Sequence, residues 1–154
     1  MDLEIGAEDP WADDVREVLE AHLAFARSVT PAEGVFALDP SALIGPAITL
    51  FGARHQGALV GVGALSLLAA DHAELKSMHT VAAARAQGVG RALVEHLVSV
   101  ARSRGCTRVS LETGNLDAFA PARSLYAACG FVECALFGPY VGSTTSVCMT
   151  LALG

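Results

Sequence analysis

Basic charge is sparse in this sequence. Ten Lys and Arg stand against sixteen Asp and Glu, a formal net charge of −6, and charged residues of both signs make up only 17% of the 154 residues. Nucleic-acid binding draws on a basic face, so this balance argues against nucleic acid as a partner and suits a cationic or neutral small substrate. No apolar run reaches the length of a membrane span. The longest, "ALVGVGALSLLAA" at 58–70, is short and broken by glycine, so no membrane role is expected. The N-terminal "MDLEIGAEDP" has neither the basic nor the apolar segment of a secretory signal, which makes the cytoplasm the expected location. Cys106, Cys129, Cys134 and Cys148 form no CxxC pair, and none of the five histidines sits in an HExxH. Neither a disulfide framework nor a metal site is expected, and the cysteines read as small buried hydrophobes. No repeat or low-complexity segment interrupts the chain.

Hydrophobic residues, by contrast, make up 53%. That suffices for one core in one domain spanning 1–154, and an interface in a homodimer would account for part of the apolar surface. Residues 3–7 suit a strand, and 11–29 carry Val15, Val18, Leu19, His22, Leu23 and Ala26 at helical spacing. Residues 30–46, rich in Pro and Gly, read as a loop with one short helix. Segments 47–55 and 59–68 flank "QG" as an antiparallel hairpin. A strand over 73–81 follows, then a helix over 88–104 closed by Gly105. A strand at 107–113, a short helix at 117–130, and strands at 131–137 and 145–153 complete the order. This is an α/β fold of the α+β layered kind, with helices covering one sheet.

"RAQGVGRALVEHL" (85–97) places Gly88 and Gly90 directly before a helix. A helix N-terminus exposes unpaired N–H groups and a positive dipole end, and glycines let an anion approach that backbone. A bare GxG is also compatible with a plain turn. A Walker loop is excluded, since Arg91-Ala92 follow Gly90 where Lys-Ser/Thr is needed; that argues against a kinase-like enzyme. A dinucleotide fingerprint is excluded because its third glycine would be Leu93.

The remaining pattern, Arg85-x-x-Gly88-x-Gly90, resembles the motif of the GNAT superfamily of acetyl-CoA-dependent N-acetyltransferases. "ARSLYAACGF" (122–131) resembles a second family motif, A-x-x-L-Y-x-x-x-G-F. The likeness is close over 47–153 and looser over the N-terminal helix. "SLETG", "FAPARSLY" and "SVCMTL" are similar to one subgroup of uncharacterised members, which implies no substrate.

The resemblance implies a mixed, mostly antiparallel sheet of six to seven strands flanked by about four helices. It implies acetyl transfer from acetyl-CoA, without metal, to a primary amine on a small molecule or an N-terminus, by direct attack in a ternary complex. A non-catalytic acyl-CoA-binding or sensor module is the alternative. Behind Arg85, the amides of Ala86, Gln87, Gly88, Val89, Gly90 and Arg91 are implied to hold the coenzyme A pyrophosphate. Met78, His79 and Thr80 are implied to run beside the pantetheine arm, with Thr80 where valine is common. Glu74 and Glu112 are the candidate bases, and Tyr126 the candidate acid toward the departing thiolate. The family asparagine that contacts the pantetheine arm is replaced here by Phe119, and Asn115 is the candidate substitute. Strict alternation along the strand turns His79 away from Glu74. Phe36, Phe51, Phe137 and Tyr140 are candidates for lining an acceptor pocket or for the core.

Overall fold

The structure, a computed structural model, describes all 154 residues. Strand β1 (Glu4–Ala7) and helix α1 (Asp13–Val29) lead into a connection with 3-10 turns at Ala32–Gly34 and Pro40–Leu43. Then come β2 (Ile48–His55), β3 (Ala58–Ala69), β4 (His72–Thr80), α2 (Val89–Ser103), β5 (Arg108–Gly114), α3 (Ala120–Ala128), β6 (Val132–Cys134) and β7 (Ser146–Ala152). All seven strands join one sheet in the order β1-β2-β3-β4-β5-β7-β6. Every neighbouring pair is antiparallel except β4 and β5. That pair is parallel because α2 carries the chain back to the start of β5, as a crossover must.

The β2–β3 hairpin turns at Gln56 (φ 51) and Gly57 (φ 82), the double positive φ that suits the right-handed twist of the strands. Three α-helices flank the sheet rather than about four, and the rest of the helical chain lies in 3-10 turns. The helix expected over 117–130 is split. Asp117–Phe119 form a 3-10 turn, and α-geometry starts at Ala120 with Pro121 in its first turn, where a missing N–H is tolerated. The strand expected over 131–137 is only Val132–Cys134, the length that pairs with β7.

The helices lie on opposite faces of the sheet. On one face Val15, Val18 and Leu19 of α1 pack against Leu50, Val62 and Ala64. On the other, Val94, Leu97 and Ala101 of α2 and Tyr126 of α3 pack with Phe51, Leu65, Leu75, Val109, Leu111 and Met149. One irregularity in β4 decides which side chains meet which helix. Val62 pairs with His79 but Ala64 pairs with Lys76, so β4 spends three residues where β3 spends two. The extra residue falls at Ser77, whose φ is 55. This bulge reverses the alternation. Glu74, Lys76 and His79 all share the α1 face with Val62 and Ala64, while Leu75 and Met78 face α2. The expectation that His79 faces away from Glu74 is therefore overturned.

Pairing of β4 with β5 runs only from His72↔Arg108 to Leu75↔Leu111. Beyond it, Lys76–Thr80 keep β3 on one side and Glu112–Gly114 keep β7 on one side, with no strand between them. Leu97 anchors α2 over this region. It is fully buried, and its Cδ1 would stand 3.0 Å from a Cβ added at Gly63. Leu97→Ala is expected to cost about 2–5 kcal/mol, read as a lower urea midpoint for a chain that still folds.

Candidate active site

The split between β4 and β5 opens a cavity of about 710 Å³. Its walls are Leu75–Thr80 of β4, Glu112–Gly114 of β5, the start of α2, and Leu125 and Tyr126 of α3. His22 and Phe25 of α1, with residues 34–37 of the following loop, close it on the other face.

At one end lies the N-terminus of α2. Gly88 is its N-cap at φ 85, Ala86 stands at φ 61, and no side chain caps the helix. The first helical bond is Ala92 N–H to Gly88 O (3.0 Å), and none of the six amides from Ala86 to Arg91 donates to a backbone acceptor. Six successive donors at the positive end of a 15-residue helix form a seat for an anion. Arg85, Ala86, Gly88, Val89, Gly90 and Arg91 all line the cavity. Gln87 does not, and its side-chain Nε2 donates back to Ala83 O (3.2 Å). The two glycines have different reasons. A Cβ at Gly88 would meet nothing, so glycine there serves the left-handed backbone. A Cβ at Gly90 would come 2.9 Å from Leu125 Cδ2, so its bareness also lets α3 approach α2.

Met78, His79 and Thr80 line the cavity along the unpaired edge of β4. That edge offers backbone donors and acceptors to an extended ligand as a neighbouring strand would. Thr80 O accepts only a long bond from Arg85 Nε (3.5 Å). Asn115 is not brought to the cavity. Its Nδ2 donates to Thr144 O and its backbone N–H to Thr145 O, both at 2.9 Å, which pins it to the loop before β7. Phe119, at the position expected to hold asparagine, lines the wall instead, edge-on to Phe25.

The two candidate carboxylates differ sharply. Glu74 is buried and does not line the cavity. Its Oε2 accepts from Tyr140 Oη (2.5 Å) and pairs with Lys76 Nζ (3.4 Å). Lys76 Nζ also donates to Tyr140 Oη (2.7 Å), so these three side chains form one cluster. Burial, then the bond to Glu74, pushes the Tyr140 phenol well above its usual range and keeps it a donor. Glu112 does line the cavity, and Ser146 Oγ donates to its Oε2 (2.5 Å). Burial, with a smaller contribution from Glu74, pushes Glu112 up to about 7 against the opposing pull of Ser146 and Lys76.

Tyr126 is buried on α3 at the cavity wall. Burial raises its phenol, and no hydrogen bond contributes to that shift. His22 and His79 meet across the α1 face with their Nδ1 atoms 3.2 Å apart. Burial, then His79, lowers His22 to about 4, and burial, then Arg85, lowers His79. Both are neutral at pH 7, one donating and one accepting.

Of the aromatic candidates, Phe36 and Tyr140 line the cavity. Phe51 is core beside His96, and Phe137 supports Tyr140 edge-on from outside the lining. Sequence reasoning missed Lys76, Ser77, His22 and Thr145 as cavity residues. His22 on the apolar stripe of α1 was the one visible signal; the others depend on the bulge and the loop before β7.

The family model described as the Acetyltransferase (GNAT) family matches residues 15–131. The chain is 37% identical over 151 residues to the uncharacterized N-acetyltransferase YsnE of Bacillus subtilis strain 168, covering 98% of this chain and 100% of that one. Among solved structures, a Klebsiella pneumoniae protein described as a candidate acyl-CoA N-acyltransferase superposes with a TM-score of 0.81 at 26% identity, over 99% and 98% of the two chains. An aminoglycoside 6′-N-acetyltransferase solved with coenzyme A superposes with a TM-score of 0.72 at 15% identity, over 97% of each chain.

A carboxylate placed on the six-amide seat would compete with a pyrophosphate for the same donors. Gly90→Asp is expected to weaken acetyl-CoA binding by about 100-fold, the scale of one or two charge-assisted hydrogen bonds. Calorimetric titration of a variant with unchanged circular dichroism checks this; retained affinity would return the segment to an ordinary turn.

Proposed function

The chain belongs to the GNAT family of acetyltransferases, and on that premise we propose that it moves the acetyl group of acetyl-CoA onto a primary amine by direct attack within a ternary complex. One observation carries this reading: Glu112 is the single carboxylate lining the cavity, and its burial sets it near neutrality. An ammonium must lose a proton before its nitrogen can attack, and a base poised near pH 7 does this best. Accepting that proton also relieves the cost of holding Glu112 ionised in a buried site. No cysteine lines the cavity, and Cys148 lies fully buried behind Glu112 on β7. Direct attack therefore fits better than an acyl-cysteine intermediate.

In this reading the amides of Ala86, Gln87, Gly88, Val89, Gly90 and Arg91 hold the pyrophosphate, with Arg85 and Arg91 adding charge. The edge formed by Met78, His79 and Thr80 aligns the pantetheine arm, and a backbone N–H there polarises the thioester carbonyl. The amine nitrogen bonds to the acetyl carbon as the C–S bond breaks. Glu112 takes the ammonium proton before attack, the Tyr126 hydroxyl, kept protonated by burial, gives its proton to the departing thiolate, and the second proton, shed by the new amide nitrogen, restores the Tyr126 phenol. Glu74 acts at one remove, holding Lys76 and Tyr140 in place, and Glu112 serves as the base.

Glu112 must be ionised to act, so kcat/KM is expected to rise with pH through about 7. Glu112→Gln should remove that limb and lower kcat/KM by about 100-fold or more, whereas Glu74→Gln should keep the limb. Thiol release followed across pH separates them, and a limb that survives in Glu112→Gln ends the assignment. Tyr126→Phe is expected to lower kcat by about 100-fold with the acetyl-CoA Kd nearly unchanged; unaltered turnover would remove its role as acid.

A further inference from the structure

The acceptor end of the cavity has a specific balance of charge and donors. Glu112 is the only acidic side chain that lines it. A polycation would need several carboxylates, and none is there to receive it. Lys76, the only lysine of the chain, lines the same cavity, one residue past the Leu75–Leu111 pair as Glu112 is. Its ammonium spends two contacts on Tyr140 Oη (2.7 Å) and Glu74 Oε2 (3.4 Å). An ammonium carries three N–H donors, so one remains. Two hydroxyls of the lining, Ser77 Oγ and Thr145 Oγ1, are buried with no hydrogen-bond partner at all. Ser77 itself is more than nine-tenths buried. Buried polar groups without partners are rare in folded proteins, and two in one cavity point to a ligand that completes them. Thr145 lies against Gly34 of the loop after α1, where an added Cβ would overlap its hydroxyl. Around these donors the wall is apolar and aromatic, with Phe25 edge-on to Phe119 (5.5 Å) and Phe36 edge-on to Tyr140 (5.0 Å).

We propose that the acceptor is an α-amino acid with an apolar or aromatic side chain. Its amine meets Glu112, its carboxylate takes the free proton of Lys76 and the hydroxyls of Ser77 and Thr145, and its side chain lies among Phe25, Phe36 and Phe119. Glu74 offsets the Lys76 charge, so the seat works through directed donors rather than net charge. A zwitterion also agrees with the neutral His22–His79 pair, which adds no charge to the wall. This inference rests on the acetyl-transfer reading and narrows its acceptor.

The test compares phenylalanine, its carboxamide, phenethylamine and spermidine by thiol release from acetyl-CoA. Phenylalanine is expected to have a KM about tenfold or more below phenethylamine, the scale of a lost charge-assisted hydrogen bond. Lys76→Met should cost phenylalanine about tenfold more in KM than it costs phenethylamine. Thr145→Val, which preserves shape, should act in the same direction by a smaller factor. A better kcat/KM on the carboxamide would assign the site to peptide N-termini, and one on spermidine to polycations; either overturns the proposal. So does an equal effect of Lys76→Met on the acid and on the decarboxylated amine. Thiol release with any of the four upholds acetyl transfer to amines even where the preference for the acid fails. Its absence with all four, despite acetyl-CoA binding, counts against both.

Discussion

The end of pairing between β4 and β5 at Leu75 and Leu111 is the constraint on which the site depends. Up to that point the two strands are the centre of a sheet covered by helices on both faces. Past it each keeps one neighbour and loses the other, in the middle of the sheet rather than at its rim. Unpaired strand edges there carry donors and acceptors that must be met by something other than the protein. The bulge at Ser77 begins where the pairing ends, and its positive φ is the kind of local strain that persists at functional sites because the surrounding structure enforces it. The crossover helix α2 then delivers its uncapped N-terminus to the same opening. Strand edge and helix end together make one cavity with an anion seat at one end and a carboxylate at the other.

Around that cavity, identical side chains acquire different surroundings. Glu74 and Glu112 lie on adjacent strands of the same sheet. Glu74 is enclosed and held by a phenol and an ammonium; Glu112 faces the cavity with one serine hydroxyl on it and a burial cost that outweighs that bond. Desolvation raises a carboxylate and hydrogen bonds lower it, and on Glu112 the one serine hydroxyl does not offset the burial. The Tyr140–Lys76–Glu74 cluster also joins the loop before β7 to β4.

Much of the fold was legible. Helical spacing located α1 and α2, the "QG" dipeptide located a hairpin whose turn has two positive φ values, and Gly105 closed α2 at φ 89. The errors were local. Helical period marks Val89, Leu93, Leu97, Val100 and Ala101 as the apolar face of α2; Val100 is only half-buried, and Val94 and Val98 are buried as well, because a helix in the groove between sheet and α3 buries more than one stripe. The segment over 117–130 read as one helix because a 3-10 turn has nearly the same apolar spacing. Asn115 illustrates a different limit: a short polar residue in a turn has many local partners, and Thr144 and Thr145 took it.

The sequence by itself determined the order of elements, the helix that begins at the glycines, and the pairing of "RAQGVG" with "ARSLYAACGF" that marks the family. These are short-range properties: period, turn chemistry and the spacing of a backbone motif. Only the tertiary structure decided which carboxylate opens to the cavity, that His79 lies on the same face as Glu74, and that Lys76 meets a tyrosine sixty-four residues away. One extra residue in β4 inverts the facing of every side chain beyond it. No pattern of hydrophobic residues announces that bulge, because its cause is pairing with a neighbouring strand and not the local preference of Ser77.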